Sequence, residues 1–168
     1  MSGHSKWSNI KNKKAANDAV KGSVFTKLAK AITVAYRTNH GINIAIQKAK
    51  EVNMPKENID RAIAKGLGQN GSEIVEMIIE GFAYGGVAIM IQAVTDNKNR
   101  TMMEMRLLFD KYGGRIGEIG SVSYMFEKTD DGYKPKYLIP VDEPKKILEF
   151  IEILKEHDDV SEVYVNLE

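Results

Sequence analysis

The side chains in this sequence best placed to do chemistry are cations crowded at one end. Lys6, Lys11, Lys13, Lys14, Lys21, Lys27, Lys30 and Arg37 face a single acid, Asp18, within the first forty residues. A run of this kind neutralises phosphates. Each ammonium or guanidinium docked on a phosphate releases counterions, so the binding falls steeply with salt. The plainer use of a charge run is a solvated tail, but here small and polar neighbours leave no core for these residues to serve. His4, Ser5 and Asn9 surround them with further hydrogen-bonding groups. Trp7, the only tryptophan, either anchors this segment on a helical bundle or stacks on an unpaired base. A lone Trp is more often an anchor.

Other candidate chemistry is thinner. Asn97, Lys98, Asn99 and Arg100 join a predicted strand to a predicted helix, where free N–H groups and the helix dipole favour an anion. Plain capping by Asp96 and Asn97 explains the same residues equally well. The glycine-rich stretch Gly113–Gly120 follows a helix rather than a strand and matches no phosphate-loop pattern, so it reads as a helix stop and a loop. His4, His40 and His157 are far apart and lack metal-ligand spacing. The acidic pairs Asp130–Asp131, Asp142–Glu143 and Asp158–Asp159 fall at turns and helix boundaries, not in a pattern suited to acid–base work. Cysteine is absent, which removes thiol nucleophiles and thiolate metal sites. No catalytic residue, metal or cofactor is expected, and no small-molecule substrate.

The elements that must position the cations emerge from composition and period. At 168 residues the chain suits one medium domain or two small ones. Its formal net charge of +1 conceals about +9 in residues 1–70 and about −8 in residues 71–168, as when one end of a chain approaches a polyanion and the other does not. No apolar run reaches signal-peptide or membrane-span length, so a cytoplasmic protein with no membrane partner is expected.

Residues 1–14 read as a polar arm, with a short helical stretch after it at Ala15–Val20. Ser23 is placed to cap a helix over Val24–Thr38, in which Phe25, Leu28, Ile32, Ala35 and Tyr36 share one face and Lys27, Lys30 and Arg37 the other. Two short helices come next, Asn43–Asn53 and Lys56–Lys65, and Gly66–Ser72 reads as a linker. A basic arm and helical bundle over 1–70 is thus expected, then an acidic α/β domain over 71–168.

In the second half Glu76–Phe82 and Val87–Thr95 read as strands of a hairpin, and Thr101–Tyr112 as a helix. Ser121–Phe126 is read as a strand with Val122, Tyr124 and Phe126 on one side. Thr129–Pro135 reads as a polar turn, Tyr137–Val141 as a further strand and Pro144–His157 as a helix. A terminal strand carries Val163, Val165 and Leu167. The fold class is α+β, a small helical bundle followed by a mostly antiparallel sheet with helices on one face.

Several blocks together resemble the YebC family: Gly3–Lys11, Lys14–Ala16, Phe25–Leu28, Asn53–Ile63, Gly81–Ala88, Thr95–Thr101 and Asp158–Tyr164. The resemblance implies a non-enzymatic regulator of gene expression, with a helical N-terminal domain and α/β domains behind it. Members are known as cytoplasmic DNA-binding transcriptional regulators. The mitochondrial relative is a translational activator, and bacterial members have been tied to ribosomes stalled at proline-rich nascent chains. Two departures stand out. The family's further α/β domain, inserted after the segment matching Ser121–Phe126, is replaced by a ten-residue bridge, Glu127–Lys136. The loop Asn39–Ile42 is also short. The favoured expectation is binding of structured RNA, most naturally ribosomal, with action on translation. DNA-binding transcriptional regulation is the alternative, weakened by the lack of a helix-turn-helix, homeodomain or basic-zipper pattern. A protein–protein adaptor working through the acidic half is a third.

Overall fold

A computed structural model of the chain describes residues 22–68 and 73–168, and the chain divides into two compact units, Met1–Gly71 and Ser72–Glu168. In the first unit, α1 (residues 22–38) is followed by α2 (Ile42–Glu51) and α3 (Lys56–Gly66). The helical period of the apolar residues explains the packing. Ile32 and Ala35 of α1 meet Ala45 and Ala49 of α2 and Ile59 and Ala62 of α3, with Phe25, Leu28 and Tyr36 at the margin. Asn39 (φ 52°) and Gly41 (φ 71°) turn the chain between α1 and α2. The buried Thr33 hydroxyl lies 2.9 Å from the Ala29 carbonyl and 3.1 Å from that of Ala62, tying α1 to α3. Gly66 ends α3 rather than opening a linker. A Cβ there would sit 2.6 Å from the Thr33 carbonyl oxygen, so its small size allows α3 to approach α1.

The second unit is built on a four-stranded antiparallel sheet. Strands β1 (Val75–Phe82) and β2 (Ala88–Thr95) form a hairpin, in register from Val75 opposite Thr95 to Phe82 opposite Ala88. The helix α4 (Lys98–Lys111) follows, then a two-residue strand β3 (Arg115–Ile116) on the outer side of β1. After the hairpin strands β4 (Phe126–Thr129) and β5 (Gly132–Pro135) come α5 (Pro144–Glu156) and β6 (Val160–Val165). The main sheet runs in the order β3-β1-β2-β6, and β4–β5 forms a second, two-stranded sheet.

Alternation along β1 and β2 divides their side chains between two cores. Ile79, Ile89, Ile91 and Ala93 pack against Met105 and Phe109 of α4 and Ile147, Phe150, Ile151 and Leu154 of α5. Phe109 meets Phe150 edge-on at 4.9 Å, and Tyr112 stacks on Phe150 at 5.2 Å. Ala88 and Met90 point the other way and are covered by Val122, Met125 and Phe126, with Tyr133 edge-on to Tyr164 at 5.4 Å. Both helices therefore lie on one face, as expected of this α+β fold, and the small hairpin closes the other.

Several local expectations are corrected. Ser121–Phe126 is not a strand. Ser123–Met125 is a 3₁₀ turn and β4 starts at Phe126, because the Glu80 carboxylate takes the Val122 and Ser123 N–H groups that a ladder would need. Tyr124 accordingly points outward, away from Val122 and Phe126. The turn at Thr129–Pro135 shrinks to Asp130–Asp131, since residues 132–135 form β5. The bridge Glu127–Lys136 is thus almost wholly a hairpin. Tyr137–Val141 contributes one parallel bridge, Ile139 to Leu167, rather than a strand. The loop Gly113–Gly120 contains β3, whose approach to β1 needs Gly81, where a Cβ would lie 2.6 Å from both the Arg115 carbonyl and the Phe109 ring. Ser23 lies within α1, already helical at residue 22, rather than capping it.

Candidate nucleic-acid interface

The candidate residues His4, Ser5, Lys6, Trp7, Asn9, Lys11, Lys13, Lys14 and Lys21 fall outside the described residues. Of the rest, Lys27 and Lys30 are half-buried on α1 and Arg37 is exposed near its end. The same unit carries cations that sequence reasoning passed over. Lys48 and Lys50 lie in the last turn of α2 and Lys56 opens α3. All three are exposed, with no ion pair among the described residues. The last turn of a helix favours cations for its own dipole, which accounts for Lys48 and Lys50 without a ligand; Lys56, at a helix start, has no such reason. Arg61 stands 3.7 Å from Glu57 in an exposed pair, a contact worth little in water.

At the second candidate site, capping dominates. The Asn97 side chain accepts the Arg100 N–H at 3.1 Å and so starts α4. The Arg100 guanidinium reaches Asp96 and Asp159, each at 3.1 Å. Asp159, then Asp96, raises its pKa above the ordinary arginine value. Arg100 therefore has carboxylate partners inside the fold, while Lys98 and Asn99 remain exposed beside it. Buried Thr101 donates to Asp159 at 2.8 Å, which locks the helix start to the segment before β6.

Beside this network, Glu104, His157 and Asp159 bring one ligand atom each within 4.8 Å of one another. Their hydrogen bonds argue against a cation. The Asp159 N–H donates to His157 Nδ1 at 3.0 Å, so in the neutral ring the proton sits on Nε2 and is given to Glu104 at 2.7 Å. A metal on Nε2 would displace that proton toward an N–H donor. The Asp159 oxygen already serves Thr101 and Arg100. The trio works as a strut between α4 and α5.

Glu80 went unnoticed in the sequence. It is 5% exposed in the middle of β1, and its carboxylate accepts the N–H groups of Gly120, Val122 and Ser123 at 2.8 Å each. Burial alone would raise its pKa, but the backbone donors outweigh burial and hold it below the ordinary carboxylate value. Val75–Phe82 holds two acids, exposed Glu76 and buried Glu80, so an acid in the strand was a signal that did not by itself tell them apart.

These units match known proteins in order. Residues 5–69 match the TACO1/YebC protein N-terminal domain, and residues 74–132 match the TACO1/YebC second and third domain. The chain belongs to the TACO1/YebC family. A relative from Dictyoglomus turgidum, named "Probable transcriptional regulatory protein", is 38% identical over 239 aligned residues, covering all of this chain and 96% of that protein. An alignment longer than the chain means that this relative carries residues with no counterpart here. A protein of the same name from Thermotoga petrophila is 50% identical over 161 residues, which cover 91% of this TACO1/YebC chain but 62% of that protein. Among solved structures, a conserved hypothetical protein from Aquifex aeolicus superposes with a TM-score of 0.81 at 32% identity, over 90% of this chain and 91% of that one. The match to the second and third domain ends inside the β4–β5 hairpin. No described helix is long and apolar enough to cross a membrane.

Proposed function

We propose that this TACO1/YebC protein is a non-enzymatic regulator of gene expression whose basic helical unit binds structured RNA, most naturally on the ribosome, and so acts on translation in the cytoplasm. The observation that carries the reading is charge segregation. Residues 1–70 hold about +9 against about −8 in the remainder, and Lys48, Lys50 and Lys56 extend the cationic surface of the described helices. The name of the relatives supports regulation of gene expression in general. The second reading, transcriptional regulation on duplex DNA, draws its support from that same name. In either reading the Lys-rich arm, with Lys6, Lys11, Lys13 and Lys14, supplies phosphate contacts, and Trp7 stacks on a base or anchors the arm.

The deciding experiment is co-sedimentation of the full chain with ribosomes from a lysate at low and moderate salt. Migration with ribosomes that survives DNase and weakens with salt supports translation. Failure to co-migrate, together with retention on duplex DNA, overturns that reading in favour of transcription.

A further inference from the structure

We propose that the cleft between α4 and β3 with the segment that follows it is a docking site for a segment of a partner protein, one that carries an acidic and a basic side chain beside an apolar one. The cleft, about 650 Å³ in volume, is open to solvent. One wall is a single stripe of α4, Met102, Arg106 and Asp110, each separated from the next by one helical turn. The other is Arg115, Ile116 and Glu118. Two arginines and two carboxylates thus converge on one cleft, yet none of the four forms an ion pair among the described residues. Four neighbouring groups without an ion pair offer both signs to a ligand.

The walls are held in place before any ligand arrives. The Arg115 guanidinium lies over the Phe82 ring, 5.0 Å from its centroid, which fixes the fork that would receive a carboxylate. Gly117 donates its N–H to the Glu80 carbonyl at 2.9 Å, and the Glu80 carboxylate holds Gly120 just beyond. The loop between these bonds presents Ile119, which is 96% exposed. On α4, the stripe next to Arg106 and Asp110 carries Met103 and Leu107, at 60% and 66% exposure. A single exposed apolar residue is ordinary. Met103 and Leu107 flank the α4 wall and Ile119 stands on the other, so exposed apolar side chains lie on both sides of the charged stripe, with methionine the most adaptable of the three.

Charge selects the occupant. A polyanion is opposed by Asp110 and Glu118 in the cleft and by the net negative charge of residues 71–168. A peptide segment can satisfy all the groups together. Its carboxylate meets Arg106 and Arg115, its ammonium or guanidinium meets Asp110 and Glu118, and its apolar side chain settles against Ile116, Ile119 and Met102. The cleft is built within the second unit alone, from residues other than those of the proposed nucleic-acid interface.

The test is selection of a random heptapeptide phage library on the full-length protein, followed by fluorescence anisotropy of the enriched peptides. The expected peptides carry an apolar residue with neighbouring acidic and basic residues. Arg106→Glu, Arg115→Glu and Ile119→Ser should each weaken their binding by about tenfold or more, while Lys155→Glu on α5 leaves it unchanged. Because Arg115 also touches Phe82, the Arg106 and Ile119 variants keep the test decisive if Arg115→Glu melts early. No enriched peptide, or enriched peptides indifferent to these substitutions, overturns the proposal. So does binding of labelled oligouridylate that the same substitutions abolish.

Discussion

The Glu80 carboxylate accepts the backbone N–H of Val122 at 2.8 Å, joining the middle of β1 to a segment 42 residues further along the chain. With Gly120 and Ser123 bound in the same way, one side chain shapes both the loop over the cleft and the turn that leads into β4. Glu80→Gln keeps the size but removes the charge and turns an NH₂ group toward an N–H donor. We expect a loss of about 2–3 kcal/mol, read as a lower urea midpoint, with faster amide exchange at Val122 and Ser123.

The same carboxylate sets a pH dependence with a definite sign. Its folded pKa lies below the ordinary 4.5, so its stabilisation is complete above the unfolded value and disappears as pH falls through the lower folded value. The difference in stability between the native protein and Glu80→Gln should be constant near neutrality and shrink under acid. Urea melts of both proteins from pH 7 downward test this. A difference that grows on acidification contradicts the assignment.

Thr101 is 0% exposed and places its hydroxyl 2.8 Å from Asp159 and 2.9 Å from the Thr95 hydroxyl. Thr101→Val preserves shape and deletes the donor. A cost of about 1–3 kcal/mol is expected, with early loss of amide protection in the first turn of α4 rather than along its whole length.

Gly81→Ala places a methyl group against the Arg115 carbonyl and the Phe109 ring. Both neighbours are fixed, one being backbone and the other a core ring. Destabilisation of about 1–3 kcal/mol is expected, and an NMR spectrum should show β3 displaced from β1.

Replacing Lys48, Lys50 and Lys56 together by Gln tests whether the described helices touch nucleic acid. If they do, the slope of log affinity against log salt should become shallower by about 2–3, with little change in melting temperature. An unchanged slope would leave binding to the arm and α1 alone.

Elements with strong periods were the readable ones. The face of α1 carrying Phe25, Leu28, Ile32, Ala35 and Tyr36 and the alternation of β1 and β2 are set by local pattern, because each buries its own stripe. Segments governed by one distant group were not readable. Ser121–Phe126 alternates like a strand, yet Glu80 claims its N–H groups, and no local signal announces a partner 42 residues earlier. Arg100 illustrates the same limit at the candidate sites. Its position beside Asn97 suggested an anion, whereas its principal partner, Asp159, is 59 residues away and invisible to spacing. Gly66 looked like linker because its reason, the Thr33 carbonyl, lies on another helix.

The β4–β5 hairpin has a consequence for how this architecture varies in length. Thr129 and Gly132 sit opposite each other in register, with Asp130 and Asp131 alone beyond them at an exposed tip. Chain inserted at that tip would leave and return through neighbouring points, so its closure would cost the host little. Phe126 and Tyr133, which seal the outer core, lie on the near side of the tip. The unit is therefore closed at its own boundary, and material can be gained or lost there without reopening what lies beneath.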